Sequence, residues 1–385
     1  MTAKITYSIF AAITLIATLS PTSTLEIVNQ DNYPTARKIR EDQWHLRYLE
    51  VGKAHMISQG SGVLIAVPDT GVDKHPDLQN NLLKGVDLTV GGDSGGLRDI
   101  DSHGTGMAGL IAAHGQKTGG ALGIAPRSNI LPIRIKPKND LGSTEKLAIG
   151  IDYAISMKAQ VISISMAGEP DTRLQKSISS AIDADIVVVA GAGNQPNLHN
   201  VGYPAAYPGV VAVGGVGRNG EFAPISVSGP EIDVVAPAVD IYSTSINGRY
   251  RKGTGTSDAT AIVAGAAALV RSKYPYLPAA EVVHRLTATA VDKGPPGRDD
   301  EYGYGVIDLV AALTADVPPL GFEGATVTPP GGATSAAAQP AGGDGDGGAT
   351  VRGWVTLGVI AATGGGFLVW RRRRRAGDPP PRISR

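Results

Sequence analysis

Five short runs in the middle of the chain, Val63–Val67, Ile130–Ile135, Val161–Ser165, Ile186–Ala190 and Val210–Val213, are apolar almost from end to end. A strand with one wet face alternates apolar and polar residues, so runs like these read as strands covered on both faces. Stretches of helical period lie between them, notably Thr144–Ala159 and Thr172–Ile182. The alternation predicts one three-layer α/β domain from about Arg37 to Ala315, a mainly parallel sheet between helix layers. Ala261–Val270 is apolar all round but only ten residues long, which predicts a buried core helix rather than a membrane span.

Apolar residues make up 42% of the 385 positions and aromatics only 5%, so the core must be built from Val, Ile, Leu and Ala. Lys and Arg together number 35 and so do Asp and Glu, which removes any whole-chain argument for a nucleic-acid partner. The chain has no cysteine. A disulfide scaffold, a thiolate nucleophile and a cysteine zinc site are therefore excluded.

The two ends differ from the middle. Lys4 followed by the apolar run Ile5–Leu19 reads as an export signal over residues 1–24, although residues 20–24 lack an Ala-x-Ala cleavage box. An uncleaved anchor, or a mis-called start to a cytosolic protein, is the alternative. Residues 25–39 form a short extension, residues 40–317 the main domain, and residues 318–352 a Gly, Pro and Ala-rich linker. Residues 353–370 are 18 uncharged positions flanked by Trp354 and Trp370, about 27 Å as a helix and enough to cross a bilayer core. Arg371–Arg375 follow directly and predict a basic cytoplasmic tail over 371–385, with the main domain outside.

Three motifs fall at element boundaries. Asp69 ends the first apolar run in Asp69-Thr70-Gly71, His103 opens His103-Gly104-Thr105-Gly106, and Ser257 lies in Gly255-Thr256-Ser257 just before the apolar helix. A serine needs a base to become a nucleophile, and the base needs an orienting carboxylate. Asn194, in Gly191-Ala192-Gly193-Asn194 at the end of the fourth run, adds an amide donor suited to an oxyanion. Alone, each motif is weak: Asp-Thr-Gly also marks aspartic proteases, His-Gly a turn, Gly-Thr-Ser a helix cap. The aspartic protease chemistry needs two such aspartates and this chain has one Asp-Thr-Gly. In the order Asp, His, Ser, each at an element end, they make a catalytic triad.

With these motifs the chain resembles the subtilases, serine endopeptidases with a seven-stranded parallel sheet. The likeness covers about Arg40 to Leu313. It implies substrate contacts from Ser165-Met166-Ala167-Gly168, from Gly191, Ala192 and Gly193, and from Gly202 in Gly202-Tyr203-Pro204, where the family has a cis proline. Within the subtilases it is similar to the mycosins, membrane-anchored proteases of actinobacterial type VII secretion systems, through Asp42-Gln43-Trp44, the linker, the single span and the basic tail. That resemblance implies a protein or peptide substrate, a membrane secretion complex as partner and a short N-terminal extension packed on the catalytic domain. The rival reading is a scaffold that stabilises such a complex, with proteolysis secondary or absent.

Three residues depart from the family pattern: Asp258 after the serine, Ala261 in place of a proline, and Pro68 before Asp69. No cofactor or metal is expected. Asp77 falls where some subtilases bind calcium, but Gly115–Gly119 is poor in oxygen ligands and carries Lys117, so Asp77 reads as a surface carboxylate. His75 reads as a loop residue, His284 as a helix-surface residue, and the other histidines show no paired metal spacing.

Overall fold

The computed structural model describes residues 36–116, 119–137 and 143–321. The signal, the span read at 353–370 and all of the linker but residues 318–321 lie outside them. Three short helices come first, α1 (Ala36–Asp42), α2 (Trp44–Tyr48) and α3 (Val51–His55). Then follow β1 (Leu64–Asp69), β2 (Val86–Asp87), α4 (His103–Ala112), β3 (His114–Gln116), β4 (Gly119–Leu122) and β5 (Asn129–Arg134). The middle holds α5 (Thr144–Ser156), β6 (Val161–Ile164), α6 (Thr172–Asp183), β7 (Val187–Gly191), β8 (Val211–Val216) and β9 (Val234–Pro237). The antiparallel pair β10 (Ile241–Thr244) and β11 (Tyr250–Gly253) leads into α7 (Thr256–Lys273), α8 (Ala279–Ala288) and α9 (Leu309–Thr314).

Seven strands form one sheet in the order β2-β5-β1-β6-β7-β8-β9, every neighbouring pair parallel. The five runs read from the sequence are five of its strands. Helices cover both faces. Neighbouring residues on a strand point to opposite sides: Pro68 faces Gly150 of α5, whereas Asp69 faces Gly104 of α4. α5 packs on α6 over one face, and α4 packs on α7 over the other. Good caps start the outer pair: Ser143 accepts from the Lys146 amide and Asp171 from the Leu174 amide.

Helix α7 is the spine of the inner layer. It runs eighteen residues rather than the ten read as apolar, because its first turn carries Thr256, Ser257 and Asp258. Its small residues let it lie close on the core: a Cβ on Gly265 would stand 2.6 Å from that of Ile124. Between Thr256 and Arg271 every residue is buried except Ser257.

Pro68 sits in a central strand at no cost in pairing. The carbonyls of Val63 and Asp69 accept from β5, so the even-numbered residues between them face β6. The β1–β6 ladder pairs only Ile65 and Ala66, and the missing amide of Pro68 falls beyond its end.

Candidate active site

Asp69 is the last residue of β1 and His103 the first of α4. Two glycines let these ends meet. Gly71 has a left-handed φ of 98°, and a Cβ there would lie 2.2 Å from the Arg98 carbonyl; a Cβ on Gly104 would lie 2.1 Å from the Gly71 carbonyl. Thr70 Oγ1 accepts from the Gly104 amide at 2.9 Å and completes the join. His103 Nδ1 then stands 2.9 Å from both carboxylate oxygens of Asp69. A carboxylate only accepts, so Nδ1 carries the hydrogen and Nε2 keeps its lone pair.

Asp69 is fully buried. Burial alone would raise its pKa, but the charge and hydrogen bond of His103, the Lys136 ammonium and the Thr70 amide together bring it down to about 2. A second carboxylate steadies the helix start. Asp99 Oδ1 accepts from the amides of Asp101 and Ser102, and Oδ2 from the amide and hydroxyl of Thr105. This clamp was not read from the sequence, because Asp99 lies four residues ahead of the helix and outside the N-cap position held by Ser102.

Ser257 stands in the first turn of α7, where backbone N–H groups favour negative charge. Its hydroxyl donates to the Ser165 carbonyl at 3.5 Å. Asn194, just past β7, accepts at Oδ1 from the Thr256 amide at 2.9 Å and from the Thr256 hydroxyl at 3.3 Å. With the oxygen so engaged, its NH₂ group is left as a donor beside Ser257.

His103, Asn194 and Ser257 line one cleft of about 580 Å³. Ser165, Met166, Ala167, Gly168, Gly191 and Gly193 line it too. Ala192 and Gly202 are buried behind that wall, joined by the Gly202 amide on the Ala192 carbonyl at 2.9 Å. They support the pocket instead of touching its space. Tyr203–Pro204 is cis. The sequence reading missed Lys136, Leu147, Glu169, Leu174 and Leu198, which also line the cleft. Leu198 reaches in from a loop: its Cδ1 would lie 2.7 Å from a Cβ on Gly193 and 3.0 Å from one on Gly202.

Residues 60–305 match the model of the subtilase family. The chain belongs to that family. It is 40% identical over 258 residues to subtilisin E of Bacillus subtilis (strain 168), a match covering 66% of each chain. It is 36% identical over 338 residues to mycosin-1 of Mycobacterium tuberculosis, covering 72% of this chain and 74% of that protein. Its fold is similar to the solved structure of MycP1, described as a serine protease and an essential component of the type VII (ESX-1) secretion system. That likeness has a TM-score of 0.64 and 33% identity over 73% of this chain and 90% of that one. This subtilase is therefore a subtilisin-type serine endopeptidase with a mycosin-like domain.

Asp77 corrects the reading of a surface carboxylate. It is completely buried, with Oδ2 accepting from the Ala121 amide at 2.8 Å and from the Tyr250 hydroxyl at 3.0 Å. Arg40 of α1 donates to the neighbouring Gly120 and Gly119 carbonyls, at 3.0 and 3.4 Å. The guanidinium brings a positive charge to this corner and ties the helix that straddles the 39/40 boundary to the domain. His75 is a loop residue, but a buried one, its Nε2 at 3.0 Å from the Arg249 carbonyl. His45 is sealed in the core, where burial drops its pKa to about 3 and keeps it neutral. His284 is half-buried on α8, its Nε2 at 3.0 Å from the Pro318 carbonyl.

Proposed function

We propose that this subtilase cleaves peptide bonds with Ser257 as nucleophile, on the outer face of a membrane to which a C-terminal helix holds it. The observation that carries the catalytic reading is His103 Nδ1 set 2.9 Å from both Asp69 oxygens, in the cleft onto which Ser257 opens. In this mechanism the Ser257 hydroxyl leaves the Ser165 carbonyl for His103 Nε2. The oxygen then attacks the peptide carbonyl carbon while Nε2 takes its proton. The carbonyl oxygen becomes negative and is held by Asn194 Nδ2 and the Ser257 amide. The imidazolium, stabilised by Asp69, gives its proton to the departing amine as the C–N bond breaks. Water repeats the sequence on the acyl-enzyme and frees Ser257.

The placement rests on the sequence outside residues 36–321. The apolar stretch 353–370 ends at Arg371–Arg375, which resist translocation. Among the described residues no helix is long and apolar enough to cross a membrane. The likeness to mycosin-1 and MycP1 supports work beside a type VII secretion complex on protein substrates. Protease added to intact, wall-stripped cells should cut within 318–349 and release a soluble, active domain, while a tag after Arg385 stays protected. A tag accessible on intact cells would refute the topology. Peptide hydrolysis by the full chain that survives Ser257→Ala would refute the catalytic assignment, and a folded wild type that cleaves nothing would favour the scaffold.

A further inference from the structure

Lys136 brings a positive charge into the cleft that no described residue pairs with. It follows Ile135, whose amide donates to the Asp69 carbonyl at 2.9 Å, so the end of β5 is fixed beside the end of β1. Lys136 lines the cleft together with His103, Thr144 and Leu147, and its charge helps to lower the pKa of Asp69. Arg134, two residues earlier, is paired with Asp87 at 3.0 Å. Lys136 makes no hydrogen bond or ion pair with a described residue. Asp69, the carboxylate on which its charge acts, is buried and committed to His103. Glu169 also lines the cleft, but it follows Gly168 on the other wall and is exposed.

The strand order shows which part of a substrate this charge meets. Lys136, Asp69 with His103, Ser165 and Asn194 follow β5, β1, β6 and β7 across the carboxyl edge of the sheet. The pocket between Ser165–Gly168 and Gly191–Gly193 receives the side chain of the residue whose carbonyl is attacked. In an extended peptide the next side chain upstream points the opposite way, over His103 towards β5. Two strand spacings, ~10 Å, separate β6 from β5, a span that one peptide residue and two long side chains can bridge. The pocket itself is narrowed by Leu198 and by the Ala167 Cβ, which would lie 2.9 Å from a Cβ on Gly202. It suits a small side chain.

We propose that Lys136 is a specificity-determining residue that selects peptides with aspartate or glutamate one position upstream of the residue whose carbonyl is attacked. This rests on the assignment of Ser257 as nucleophile. An acidic side chain there pairs with the ammonium, whereas a basic one adds a like charge beside the imidazolium that forms during the reaction.

The test uses full-length protein and fluorogenic peptides with alanine before the scissile bond, differing only in Asp, Asn or Lys at the position upstream. Within each protein the ratio of kcat/KM for the Asp and Lys peptides is read, so overall activity cancels. Wild type should favour Asp by about tenfold, and 1 M salt should shrink the ratio towards one. Lys136→Met should remove the preference and Lys136→Glu should reverse it. A wild-type ratio of one or below, a ratio unmoved by Lys136→Glu, or a ratio blind to salt would each overturn the proposal. Should Lys136→Glu fail to fold, Lys136→Met and the wild-type salt series decide. A chain whose Ser257 resists a fluorophosphonate fails at the catalytic assignment; one that is labelled and cleaves without regard to charge fails only here.

Discussion

Asp69 and His103 lie thirty-four positions apart in the chain, yet both Asp69 carboxylate oxygens stand 2.9 Å from His103 Nδ1. One partner ends a central strand and the other begins the helix laid across it, so the pair is held by the sheet itself. The bond decides which imidazole nitrogen keeps its lone pair.

Asp69→Asn should therefore leave the fold intact and lower kcat by about 10⁴, because an amide can donate to Nδ1 and reverse the tautomer. Steady-state kinetics alongside a circular dichroism spectrum check this. Activity within tenfold of wild type would remove Asp69 from the mechanism.

Asn194→Ala should lower kcat by ~10²–10³ with little change in KM, since the donor meets charge that exists only in the transition state. A loss seen mainly in KM would make Asn194 a binding residue instead. Its anchor, Thr256, should matter as well: Thr256→Val keeps the backbone amide bond at 2.9 Å but loses the hydroxyl, and should cost less than Asn194→Ala.

Asp258 makes stability depend on pH. Burial raises its pKa, against the pull of Arg251 and His103, and the nearest guanidinium nitrogen of Arg251 is 3.7 Å away. A carboxyl held neutral by burial gives its full stability below about pH 4, the ordinary aspartate value, and loses it as the pH rises through its own raised pKa. In a Ser257→Ala background, which prevents self-digestion, Asp258→Asn should gain thermal stability over the parent as the pH climbs from 4 to 8. A gap that stays constant or narrows would contradict this.

Arg40 should make the corner around Asp77 independent of calcium. Arg40→Met strands the Gly119 and Gly120 carbonyls and leaves Asp77 without its neighbouring cation, at a cost of about 1–3 kcal/mol and a drop in Tm of roughly 2–10 °C. A calcium chelator should leave the wild-type Tm where it was. A wild type that melts early in chelator would contradict the account.

What was legible in the sequence was what local pattern controls. Strands buried on both faces, such as Val187–Gly191, are apolar throughout, and the chemistry-bearing residues sit at their ends beside glycines. What was hidden depends on partners remote in sequence. Asp77 looks like any loop acid until Ala121 and Tyr250 close over it. Leu198 reads as an isolated apolar loop residue, and only the fold brings it against Gly193 and Gly202. Lys136 has the same origin: β5 lies next to β1 in the sheet although four elements, β2, α4, β3 and β4, stand between them in the chain. The polar first turn of α7 concealed the start of the helix: Thr256 and Ser257 line the cleft, and Asp258 is a buried carboxyl.

The most direct measurement of the central claim is covalent labelling of the full-length protein with a fluorophosphonate, followed by mass mapping of the modified peptide. The label should fall on Ser257, disappear in Ser257→Ala, and be greatly slowed in Asp69→Asn. A folded wild-type protein that takes no label, or takes it at another serine, would contradict the assignment of Ser257 as the nucleophile.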